Sequence, residues 1–289
     1  MRTRPLPPWI VGAIGAGSVL LLSWLEHRRP LRRAVEPKLR REARNLTVAG
    51  IGAIAVVLAE RPIVLPSAAL VERKNWGLLR QFKLPLWFEI TAGLVLMDYT
   101  FYAWHILMHR VPLLWRFHLV HHIDLDLDAS TALRFHFAEL LASIPWRAAQ
   151  VVLIGLTPLA FSVWQCVFLV CILFHHSNVE LPIGWERRLN RLLVTPRMHG
   201  IHHSIVERET DSNWSSGLTV WDRLHGTLRL NVPQREITIG VPAFQEPKSV
   251  TLARVLAIPF EHLPSTWEFP SDGGPKPHPA EAPKSVLLP

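Results

Sequence analysis

Two cysteines, Cys166 and Cys171, are all that this chain of 289 residues contains, and both lie inside one apolar run. That scarcity excludes a disulfide framework and a thiolate-based zinc site. The two side chains are read as lipid-facing or packing residues. The chain also lacks H-E-x-x-H, the helical zinc site with a glutamate base; His136-Phe137-Ala138-Glu139 has the wrong order. No glycine loop follows a strand. Gly12, Gly15 and Gly17 sit within an apolar run and are assigned to close helix packing. Acidic residues are outnumbered, and the net charge of +8 and pI near 10.2 would suit nucleic acid. The arginines, however, flank apolar segments and form no aromatic-interleaved stripe, a pattern of membrane flanks. Nucleic acid is therefore not expected as a partner.

Apolar residues are plentiful. They make up 49% of the chain against 19% charged, with a mean hydropathy of +0.19. Apolar runs cover about residues 8–25, 46–65, 86–104, 140–156 and 159–174. Several approach the ~20 residues that cross a bilayer, and the shorter ones are expected to tilt or insert partly. The first run has no convincing small-residue cleavage site and is read as a retained span. Arg28, Arg29, Arg32, Arg33, Lys38, Arg40, Arg41 and Arg44 follow it, and the positive-inside rule puts that loop in the cytoplasm. The last two runs form a hairpin joined at Thr157-Pro158. One segment opposes the rule: residues 60–83 carry Arg61, Arg73, Lys74, Arg80 and Lys83 on the predicted outer side, or lie at the interface beside a re-entrant second run.

Eight of the fifteen histidines fall into three clusters. His105-Ile-Leu-Met-His109 is H-x₃-H. His118-Leu-Val-His121-His122 and His199-Gly-Ile-His202-His203 are both H-x₂-H-H. Positions i, i+3 and i+4 share one helix face, so each cluster can aim its rings at one point. Eight aimed imidazoles exceed what one tetrahedral zinc needs and suit two neighbouring ions. Pro112 is expected to break the helix before the second cluster, and Pro196 to open one at the third. Counting spans from the basic loop brings all three clusters to the cytoplasmic side. Imidazole accepts Fe, Zn, Cu or Ni, so ligand type alone does not select the metal.

The motifs around these histidines resemble the fatty acid hydroxylase/sterol desaturase superfamily of integral membrane non-haem di-iron oxygenases. The resemblance runs over residues 98–227. It includes Asp98-Tyr-Thr-Phe-Tyr-Ala-Trp-His105, Trp115-Arg-Phe-His118 and Arg134-Phe-His136-Phe-Ala-Glu139, where Phe137 replaces the usual proline. It continues through Phe174-His-His176-Ser-Asn178, Thr195-Pro-Arg197-Met-His199, Asn213-Trp and Trp221-Asp222-Arg-Leu-His-Gly226-Thr227. The resemblance implies that the eight cluster histidines, with His136 and His176, are iron ligands; His175 aligns less well. It assigns Asp98, Glu139, Asn178 and Asp222 to orienting the ligand rings.

The expectation is therefore an all-α membrane protein with four to five membrane-embedded helices and a cytoplasmic histidine-rich di-metal cap. Residues 1–85 would supply N-terminal helices and the basic loop, 86–240 the catalytic domain, and 241–289 an extension that is disordered from about 264. Two iron ions are implied, with zinc possible in purified protein. The implied reaction hydroxylates or desaturates a lipid using O₂. Electrons would come from a ferredoxin- or cytochrome b5-type partner, since neither a dinucleotide fold nor a fused haem domain is found. Arg32, Arg33, Arg40 and Arg41 are expected to dock that donor or anionic head groups. The rival readings are an ether-lipid monooxygenase of the same family, a membrane metal-binding or transport protein, and a di-zinc hydrolase.

Overall fold

The computed structural model describes residues 3–263 and 265–268. The expectation of a disordered tail, with His278, falls outside the described residues apart from those last four. Long helices carry the architecture: α1 (Pro8–Arg28), α2 (Lys38–Ala55), α3 (Arg61–Lys74), α4 (Leu86–Arg110), α5 (Pro112–His122), α6 (Phe137–Ile154) and α7 (Pro158–His176). Shorter ones follow: α8 (Ile183–Leu189), α9 (Pro196–His202), α10 (Glu207–Thr210), α11 (Val220–Leu224) and α12 (Leu252–Ala257). Among the described residues there is no strand, only isolated bridges such as Pro30 with Val179.

Among the described residues, four helical segments are long and apolar enough to cross a membrane: Pro8–Arg28, Lys38–Gln81, Phe137–Ile154 and Pro158–His176. The protein is an all-α integral membrane protein. Only 11% of the α1 window is buried against 50% for α7, so α1 turns most of its apolar surface to lipid while α7 is central. Exposed Trp9, Trp24, Trp76, Trp87 and Trp185 stand near helix ends, where interfacial tryptophans are favoured.

The second apolar run and the segment after it form one rod. α2 passes through a π turn, Val56–Glu60, straight into α3. Pro62 has no N–H for the Leu58 carbonyl, and its ring crowds the turn before it. The wider turn, in which the Arg61 N–H reaches the Val56 carbonyl, accommodates it. Residues 38–74 at 1.5 Å each would extend about 55 Å, well beyond the ~30 Å hydrocarbon thickness. The run is thus long enough for a full crossing with an overhang. Arg80, one of the outer cations, is spent on a salt bridge to buried Glu89, which also accepts a hydrogen bond from the Thr157 hydroxyl at 3.0 Å. The third predicted run lies in α4, which is not among the four apolar segments; Glu89 and Asp98 dilute it.

Local signals set the helix boundaries. Val111 interrupts the chain between α4 and α5, and Pro112 opens α5. Gly155, at φ 87°, caps α6, and the Thr157 side chain accepts the Ala160 N–H to start α7. Gly77, at φ 94°, packs on this corner; a Cβ there would lie 2.3 Å from the Gly155 Cα. One apolar core, with Val71, Leu79, Met97, Leu156 and Phe161, fills this end of the bundle. The histidines gather at the other.

Candidate metal centre

Ten buried or half-buried histidines converge from four helices: His105 and His109 on α4, His118, His121 and His122 on α5, His175 and His176 on α7, and His199, His202 and His203 at α9. Nine form two groups. His105, His109, His118, His122 and His202 place one nitrogen each within 4.8 Å of all the others, and His121, His176, His199 and His203 do the same. The groups adjoin, since the His122 and His203 rings stack at 4.3 Å. Each H-x₂-H-H thus divides between groups. On α5, His118 and His122 share one group, a turn apart, while His121 faces the other.

Four rings of the two groups, those of His105, His118, His176 and His202, are anchored on the side away from the centre. Nδ1–H of His105 donates to the Trp214 carbonyl at 2.8 Å, that of His202 to Ser212 at 2.9 Å, and that of His176 to Ile172 at 2.7 Å. His118 Nδ1 lies 3.0 Å from the Glu139 carboxylate. A proton committed to Nδ1 leaves Nε2 as a bare lone pair. Two such lone pairs, on His105 and His202, face each other at 3.1 Å. Further Nε2–Nε2 distances are 2.9 Å for His121–His176, 2.9 Å for His176–His199 and 3.1 Å for His199–His203. The facing lone pairs of His105 and His202 repel unless a cation holds both. Two nitrogens at right angles and about 2.1 Å from one ion would lie about 3 Å apart. The Nε2 atoms of His109, His118 and His122 are buried without a partner. These observations fit metal ions at both groups.

Burial, followed by repulsion from neighbouring rings, holds His121, His122, His199 and His203 well below the ordinary imidazole value. Burial pushes His202 down to about 3. These five rings are therefore neutral and available as ligands at any physiological pH. Half-buried His109 borders a cavity of about 130 Å³ shared with Trp115, Asp211 and Trp267, an opening toward water.

Predicted site residues outside the two groups have other surroundings. His136 is not brought into either group: its Nδ1 accepts the Ala138 N–H as the cap of α6, and its Nε2 lies 3.3 Å from the Leu256 carbonyl. Of the four proposed orienting groups, Glu139 alone contacts a ring of the groups. Asp222 accepts the Trp214 and Ser215 N–H groups at 2.9 and 3.0 Å, fixing the segment whose carbonyls hold the rings. Asp98 accepts the Leu218 N–H and the Trp221 indole N–H at 2.9 and 2.7 Å. Asn178 clamps the main chain of Arg32 instead.

Sequence reasoning missed the alternate carbonyls of Ser212, Trp214 and Ser216, which receive protons from His202, His105 and His175. Main-chain acceptors leave no residue signature. His175, which aligns less well with the family motif, stands outside both groups but beside them. That ring has the same anchoring, a partnerless buried Nε2, and a centroid 4.0 Å from that of His199.

The basic loop is also corrected. Arg41 is buried and pairs with Asp124 at 2.8 Å and with Asp128. Arg44 pairs with Glu36 and Asp124, and Asp124 further accepts from Asn45. This ionic knot follows directly on His122 and locks the end of α5. Arg41 is therefore unavailable as a docking residue.

Residues 90–227 match the family model for fatty acid hydroxylases. The chain is 31% identical to the ornithine lipid hydroxylase OlsE of Rhizobium tropici over 198 residues, covering 68% of this chain and 58% of that protein. It is 25% identical to human alkylglycerol monooxygenase over 253 residues, covering 86% and 51%. With human cholesterol 25-hydroxylase it shares 32% over 151 residues, covering 51% and 54%. The chain spans about half the length of the curated relatives it matches. No solved structure matches it at a significant level. The histidine motifs, their convergence into two groups and these similarities lead to one assignment: the histidine-bearing part of this chain belongs to the fatty acid hydroxylase/sterol desaturase superfamily.

Proposed function

We propose that the chain is a membrane-bound di-iron oxygenase that hydroxylates or desaturates a lipid, using O₂ and electrons from a separate ferredoxin- or cytochrome b5-type donor. The observation that carries this reading is the five-plus-four arrangement of imidazoles in adjoining groups with no thiolate. A catalytic zinc site keeps three protein ligands and a water, which argues against a di-zinc hydrolase. A transporter places its ligands near the bilayer midplane, whereas these rings gather where the helices end. Iron at such a centre supplies the O₂ activation needed to attack an unactivated C–H bond.

The nine grouped histidines would hold the ions, with residues 86–240 as the catalytic unit facing the cytoplasm. His136 serves as the α6 cap. Glu139 keeps the His118 proton on Nδ1, and the Ser212 and Trp214 carbonyls do the same for His202 and His105, so each ring keeps its lone pair on Nε2. Phe101, Trp104 and Met108 lie on α4 beside His105 and pack with Trp146 and Phe168. These side chains would hold an acyl or sterol chain against the centre and exclude water. A second reading, oxidative cleavage of an ether lipid, draws support from the alkylglycerol monooxygenase similarity, which covers 86% of this chain. Incubation of the reconstituted protein with ester, ether and sterol lipids under ¹⁸O₂, followed by mass spectrometry, tests both. Labelled or desaturated product supports the first, aldehyde release from an ether lipid the second, and an O₂-independent product contradicts both.

A further inference from the structure

A cavity of about 980 Å³ lies apart from the histidine groups. It is bounded where α1 ends, α2 begins and α7 has just ended, and by residues 125–128 and 234–239. That position is at the ends of α1 and α7, two of the helices long and apolar enough to cross a membrane. Five carboxylates line it, and each has a partner. Glu26 accepts the Ala129 and Asn178 N–H groups, and Glu36 pairs with Arg44. Asp126 accepts the Val35 and Glu36 N–H groups, Asp128 pairs with Arg41, and Glu180 meets Arg197.

Arg32 forms no salt bridge among the described residues. Its Nη1 donates to the Gln234 side chain at 2.6 Å, but Nε and Nη2 are buried without any partner. Those two nitrogens form the edge of a guanidinium that grips an oxyanion through parallel hydrogen bonds. The edge is also held in place. Asn178 pins the Arg32 main chain on both sides, at 2.9 and 2.8 Å, and the guanidinium lies against Gly200, where a Cβ would meet Nη1 at 2.3 Å. Exposed Arg33 and Arg235 add positive charge at the rim.

We propose that this cavity binds a phosphate ester, held by the Nε–Nη2 edge of Arg32 with Arg33 and Arg235 around it. The anion is a lipid head group entering from the membrane surface or a soluble phosphate entering from water. The inference is independent of the oxygenase reading, because its test measures binding and not turnover.

The full chain in neutral detergent, at constant ionic strength, is titrated with dihexanoyl phosphatidylglycerol, with dihexanoyl phosphatidylcholine and with inorganic phosphate, and its thermal midpoint is followed. A saturable rise is expected with phosphatidylglycerol, and Arg32→Gln should weaken the apparent affinity by about tenfold or more. Arg32→Lys, which keeps the charge but loses the fork, should fall between the two. A rise with either phospholipid alone assigns the site to head groups, and a rise with inorganic phosphate as well assigns it to phosphate from either source. No saturable rise in the unmodified chain, or equal affinity in Arg32→Gln, overturns the proposal. Should Arg32→Gln not fold, the Arg33→Gln/Arg235→Gln chain decides: weaker binding upholds the site and unchanged binding overturns it.

Discussion

Removing the carboxylate behind His118 tests whether the anchoring of the rings matters to the metal. Glu139 is 5% exposed, and its Oε1 lies 3.0 Å from His118 Nδ1, while Oε2 is buried without a partner. The carboxylate therefore has one visible task, which is to hold the His118 proton away from the centre. Loss of such a partner costs about 10- to 100-fold in metal affinity, or roughly 1.4–2.8 kcal/mol. A charged acceptor binds about twice as strongly as a neutral one. Glu139→Gln, which keeps the shape and an amide oxygen, is thus expected near tenfold, and Glu139→Ala nearer a hundredfold. The assay is retention of metal against increasing chelator, with circular dichroism to confirm the helices. Affinity within about twofold of the unmodified chain for Glu139→Ala would refute the reasoning, as would a larger loss for Gln than for Ala.

Other expectations concern stability. Burial raises the Asp124 carboxyl, but Arg41, Arg134 and Arg44 outweigh it and hold the value at about 2 against an ordinary 3.8. A depressed carboxylate contributes stability above its unfolded value and loses it as pH falls through the folded one. Asp124→Asn should therefore lower the thermal midpoint at pH 7, by the equivalent of about 3–5 kcal/mol for a broken buried pair, and the gap should narrow as pH approaches 2. Arg41→Glu should prevent folding or metal retention, whereas Arg40→Glu, at an exposed position, should leave both unchanged; comparable effects from the two would contradict the burial of Arg41. Gly77→Ala must force a Cβ against the Gly155 backbone at positive φ, so a thermal shift equivalent to at least ~1–3 kcal/mol is expected; no shift would contradict the packing of that corner.

Much of the fold was legible because its signals are local. Apolar runs of spanning length, Pro112 and Pro196 at helix starts, and the Gly155–Thr157 corner are written in residue types. The first two histidine clusters were legible because i, i+3 and i+4 share a helix face, although the same spacing hid the division of His118 and His122 from His121. Long-range pairing was not legible. Arg41 read as surface charge because its partners, Asp124 and Asp128, lie some eighty residues away. His136 read as a ligand because a helix-capping imidazole and a coordinating one look alike in sequence. The ring-holding carbonyls of residues 212–216 carry no side-chain signal at all.

In the proposed reaction, two ions held by these histidines activate O₂ beside a lipid. Its most direct test is metal content and reductant-driven O₂ uptake of detergent-purified, iron-reconstituted protein with membrane lipid extract, measured beside His202→Ala/His203→Ala, which removes one ligand from each group. About two irons per chain and lipid-dependent O₂ uptake are expected, both sharply reduced in the variant. Iron bound at that level with no lipid-dependent O₂ uptake, or uptake unchanged in the variant, would contradict it.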